Sequence, residues 1–146
     1  MPVAYRILPH RSLIHVAYSG VARLGETVAS ARACAADPAF STDFRHLVDL
    51  RAVIDFERDI VGFLAMQAQV IEFFPVVGEG LGNLKVVMIA PPGAPRQMAE
   101  QVRRSWDGVG GAILRIAEDE GAALSVLGLP ADALADQPVP GRPAGA

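Results

Sequence analysis

Asp49, Arg51 and Asp55 stand close together directly after a short apolar run, and Arg58 and Asp59 follow at once. Charges placed beyond the carboxyl end of a strand lie where open α/β sheets bind ligands. A second segment, Pro91 to Pro95, follows a neighbouring apolar run and offers the backbone N–H groups of Gly93 and Ala94. A small anion is the ligand that this set would suit. The plainer account is that Asp49 and Arg51 bond to nearby loops and that Pro91-Pro92-Gly93 is only a turn. No GxxxxGK phosphate-loop spacing is present to decide against it.

Other reactive residue types are isolated. His46 and Asp49 are three apart, which on a strand sends them to opposite faces. His15 sits inside an apolar strand pattern and His10 in a turn, so the three histidines share no ligand spacing and no metal site is expected. Cys34 has no local histidine or basic residue placed to lower its pKa. Ser19, Ser105 and Ser125 lack the Gly-x-Ser-x-Gly elbow. These readings predict no catalysis and no cofactor.

The elements that must position these residues alternate along the chain. Tyr5-Arg6-Ile7-Leu8 and Leu13 to Tyr18 read as two strands joined by the turn-length Pro9-His10-Arg11-Ser12, an antiparallel hairpin. Leu24, Val28, Ala31 and Ala35 then share a helical face, and Asp37-Pro38 ends that helix. His46 to Leu50 is a third strand. Leu84 to Ala90 is the clearest buried strand, at or near the sheet centre, and Ala112 to Ile116 is the last. Helices are predicted over residues 24 to 36, 57 to 74, 95 to 107 and 119 to 127. Strands alternating with helices imply an α/β fold: a mixed, largely parallel sheet of about five strands flanked by four helices. Residues 1–129 form the expected single domain, and 130–146, rich in Pro, Ala and Gly, a flexible tail.

Composition narrows the setting. A chain of 146 residues can bury about two-thirds of its unfolded surface and needs no staple. One cysteine excludes an intramolecular disulfide and suits a reducing, cytoplasmic location. The N-terminus lacks the pattern of a secretory signal, and no apolar run reaches membrane-spanning length, so no membrane insertion is expected. A net charge of −3 without a basic run argues against nucleic-acid binding.

Four segments together resemble the STAS-like (SpoIIAA-like) domains, the group that includes bacterial anti-sigma-factor antagonists, and in particular its small single-domain bacterial branch of uncharacterised function. They are Tyr18-Ser19-Gly20-Val21, Asp37-Pro38-Ala39-Phe40, Leu47-Val48-Asp49-Leu50-Arg51 and Ala123 to Gly128. In the antagonists, the helix after the third of these carries a phosphorylatable serine in its first turn. The matching positions here are about Arg58 and Asp59, which accept no phosphate from a serine kinase; Asp59 would be a fixed negative charge or a favourable partner of the helix dipole. The resemblance therefore implies a regulatory or protein-interaction module without the serine switch.

The second helix pattern is unusual because its apolar arc exceeds half its circumference. Ile60, Leu64 and Ile71 make one stripe, and Phe63, Met66, Val70 and Phe73 another beside it. A helix on one sheet needs a narrower stripe. The excess calls for cover by the loop 75–84, a second subunit or an apolar ligand. Met66, Val70 and Phe73 are the expected homodimer face. A regulatory protein is the other partner considered, and a small apolar ligand or lipid is the alternative function.

Overall fold

The computed structural model describes residues 3–73, 84–109 and 111–135. Five strands, β1 (Val3–Leu8), β2 (Leu13–Ala22), β3 (Arg45–Phe56), β4 (Leu84–Ile89) and β5 (Ala112–Ala117), form one sheet in chain order, β1-β2-β3-β4-β5. Only the β1–β2 hairpin is antiparallel. Four helices accompany them: α1 (Leu24–Ala36), α2 (Ile60–Phe73), α3 (Ala94–Ser105) and α4 (Glu120–Val126). The α/β class, the mixed sheet and the four helices match the pattern read from the sequence. The centre is β3, with β4 beside it.

Side chains alternate between two cores, as strand geometry requires. On one face, Leu50, Met88 and Leu114 pack beneath α1, α2 and α3; on the other, Leu13, Leu47, Val87 and Ile89 pack beneath α4. Three crossover helices on one face, with strands advancing in one direction, follow if every crossover has the same hand. Such a sheet has no point at which strand order reverses, so it lacks the ready-made crevice of doubly wound folds.

β3 is longer than its sequence pattern. Its pairing with β4 covers only His46 to Asp49, while its pairing with β2 continues to Phe56. The extension passes register irregularities at Ala17/Ser19 and Gly20/Val21, where Gly20 adopts φ +68°, a conformation that costs glycine least. Glu57, expected inside the second helix, instead continues this arm: its N–H donates to the Ala22 carbonyl, and its carboxylate accepts from the Leu24 N–H at 3.1 Å. Arg23 precedes α1 without a side-chain cap, so Glu57 does that work from across the fold. The second helix therefore begins at Ile60.

The expected boundary after residue 129 also moves. Ala133 and Leu134 are buried in the α4-side core, so packed chain continues past Pro130. The glycine-rich loop predicted over 75–84 lies outside the described residues except for Leu84, as does the tail from residue 136.

Candidate ligand-binding site

The rotation of α2 decides what can bind beneath it. Phe63, Met66 and Val70 point inward, and Gln67, also buried, donates its amide N–H to the Ser105 carbonyl at the end of α3. Gly62 faces α1 so closely that a Cβ there would stand 2.7 Å from Leu24 Cδ1. The outward residues are Ile60, Val61 and Leu64, at 59, 76 and 51% exposure. This corrects the expected dimer face: Met66 and Val70 belong to the core of the protomer, and Phe73 is half-buried with Arg32 over its ring at 5.2 Å. Periodicity could not choose between two adjacent apolar stripes. The buried Gln67 bond and the absent Cβ of Gly62 make the choice.

α2 packs closely on α1 and α3 rather than on the strands. Its inward side chains reach across the gap without filling it, because α1 contributes small groups, Thr27, Ala31 and Cys34. A cavity of about 160 Å³ remains, floored by Val16, Tyr18, Val48, Leu50 and Met88 and walled by Met98, Val102 and Trp106 on the α3 side. Its size is close to the roughly 150 Å³ of an engineered apolar cavity that stays dry and takes up benzene.

Polar groups on the lining are quiet. The Tyr18 hydroxyl shares a 3.0 Å hydrogen bond with Thr27 Oγ1, and the Tyr5 hydroxyl donates to Asp37 Oδ2 at 3.1 Å. Burial pushes the Cys34 thiol up to about 11, with Asp37 adding to the effect, which opposes thiolate formation. Burial likewise lowers His46 to about 4, so a neutral imidazole borders the cavity at neutral pH. Cys34 is the buried residue of α1.

The charged residues expected to form one cluster are in two places. Asp49 and Arg51 meet at 2.7 Å on the α4 side, where Arg51 also reaches Glu120 of α4 at 3.3 Å. Arg51 holds the Asp49 carboxyl below its ordinary range, against burial that would raise it. His46 faces the cavity, on the opposite side from Asp49, as their spacing required. Beside Asp49 lies His15, buried with no bond to either ring nitrogen; burial lowers its pKa against the pull of Asp49 and Glu120. Asp55 and Arg58 pair at 3.1 Å at the far end of the β3 arm, six residues or about 20 Å along an extended strand from Asp49. Asp59 accepts the Phe63 N–H through its carbonyl and keeps its carboxylate beside Gly62, at the start of α2.

Arg58 and Gly93 do border one groove. Together with Phe56, Pro92 and one face of α3 (Arg96, Gln97, Glu100, Gln101 and Arg104) they line a groove of about 510 Å³. Arg58 lies over the Phe56 ring at 4.1 Å and donates to Gln97 Oε1 at 3.3 Å. The α3 contribution went unread in the sequence, although Gln97, Gln101 and Arg104 have the spacing of a polar helix face. Phe56 borders both the groove and the cavity.

No group of His, Cys, Asp and Glu among the described residues could hold a metal ion, and no helix among them is long and apolar enough to cross a membrane. No family model matches the chain, and no curated protein matches it either.

Proposed function

We propose that this chain is a non-catalytic, cytosolic, STAS-like binding module whose cavity takes up a small apolar ligand about the size of a six-carbon ring. The cavity between the sheet and α2 carries the reading. Filling it replaces missing van der Waals contacts for its lining, the same deficit that makes cavities costly when they stay empty. Its buried polar neighbours are hydrogen-bonded, as Tyr18 and Thr27 are, or neutral, as His46 is, which favours binding over chemistry.

Trp106, the only tryptophan, lines the cavity and reports on it. Bromobenzene, a heavy-atom quencher of suitable size, should quench Trp106 fluorescence saturably in the wild type. Val70→Phe fills the space from α2 and should abolish the saturable part while the protein stays folded. Quenching that rises linearly and equally in both proteins would refute the reading.

A second reading, contact with another protein or a second copy, is favoured by the exposed Ile60, Val61 and Leu64. Burying such side chains yields about 1.5–3 kcal/mol each. A homodimer through this outer face should become a folded monomer when Val61 and Leu64 are both changed to Glu, measured by light scattering. A wild type that is monomeric at tens of micromolar removes the homodimer.

A further inference from the structure

We infer that the groove between the end of β3 and α3 binds a phosphoryl group, at a site beside the apolar cavity that does not require the cavity to take up a ligand. Arg58 stands on one bank and Arg96 and Arg104 on the other. Guanidinium groups converging on one groove suit an oxyanion, because each presents planar paired donors.

The existing bonds leave one of the three, Arg104, unengaged and hold another, Arg58, only through Asp55 and Gln97 at the surface. Arg96 is committed: its Nε donates to the Ala90 carbonyl at 2.8 Å and it lies 3.7 Å from Glu118. The Arg104 guanidinium makes no hydrogen bond or ion pair among the described residues, because Glu100, the one carboxylate on the groove, is held by Arg103 at 2.6 Å. Arg58 is held by Asp55 in an exposed pair, an interaction that water already screens and that a doubly charged phosphate can displace. Its guanidinium stacks on the Phe56 ring, which fixes the plane of the group while its in-plane donors can exchange partners. Gln101, between Arg96 and Arg104 on α3, also lines the groove.

The phosphoryl group has two sources: a free phosphate, or the head of an amphiphile whose tail passes Phe56 into the cavity. Titration of the full chain with inorganic phosphate, hexyl phosphate and hexan-1-ol, followed by calorimetry and by Trp106 emission, separates them. Saturable binding of either phosphate that weakens about tenfold or more in Arg58→Gln/Arg104→Gln, and in part in Arg104→Gln alone, supports the site. Equal affinities for the two phosphates then identify a free anion. A tighter hexyl phosphate that also shifts Trp106 emission identifies the amphiphile. Arg115→Gln on β5, which removes one charge as Arg104→Gln alone does, should leave binding unaltered. The inference is overturned if neither phosphate binds saturably, or if Arg115→Gln weakens binding as much as the groove variants do.

Discussion

His46 shows what a buried imidazole on an apolar cavity does to stability. Its pKa falls from the ordinary 6.5 to about 4 on folding because burial penalises the charged form. Unfolded chains therefore take up this proton near pH 6.5, and the folded protein does not until about pH 4. The contribution is intact above pH 6.5 and is lost as pH drops through the interval, to a total of about 3 kcal/mol. Denaturant unfolding of the wild type and His46→Leu at pH 7 and pH 4.5 isolates it: the difference between them should move in the variant's favour by roughly that amount. A difference that does not change with pH would contradict the burial argument. His15 adds acid sensitivity of the same sign, but it is common to both proteins and cancels. At this scale the sequence was legible where a two-residue period sufficed, as in the opposite faces of His46 and Asp49. It was not legible for the charge cluster, because nothing in Leu50 to Phe56 announced that the strand would carry Asp55 and Arg58 so far from Asp49.

Between elements, three joints are made by single side chains far apart in sequence, Glu57, Gln67 and Arg45. Glu57 caps α1, and its loss in Glu57→Ala should cost about 1 kcal/mol in a thermal melt, whereas Glu57→Gln, which keeps an acceptor, should cost less. Equal losses in both would mean that the charge rather than the hydrogen bond matters. Gln67 ties α2 to α3 in the same way, and Arg45 joins the end of α4 to the Pro9–Arg11 turn through the Leu127 and Arg11 carbonyls. Because Gln67 sets the rotation of α2, its inward and outward apolar faces predict opposite outcomes. Val70 and Phe73 changed together to Glu should unfold the protein, since one of the new charges enters the core. Val61 and Leu64 changed to Glu should leave circular dichroism unaltered. The helix positions themselves were readable from periodicity to within a few residues; the rotation of α2 was not, because two apolar faces compete and one polar bond decides.

Across the whole molecule, the alternation of strand and helix patterns made the class and the mixed sheet legible, because each element must bury one face. The far edge of the core was harder to place. Leu134 lies in a stretch of small and polar residues with no period of its own, yet it is buried against the α4 side. Leu134→Ala should therefore cost about 2–3 kcal/mol by chemical denaturation, a loss unexpected of a tail residue. A change within a few tenths would place Leu134 outside the cooperative unit. The strand order carries a consequence for synthesis. Every strand pairs with its neighbours in the chain, so none has to be threaded between two that are already joined. As the polypeptide leaves the ribosome, the hairpin can form first and each later strand can dock on the growing edge once its crossover helix has emerged. Until β4 arrives, that edge is the long β3, whose open backbone is then the segment most in need of protection from other nascent chains.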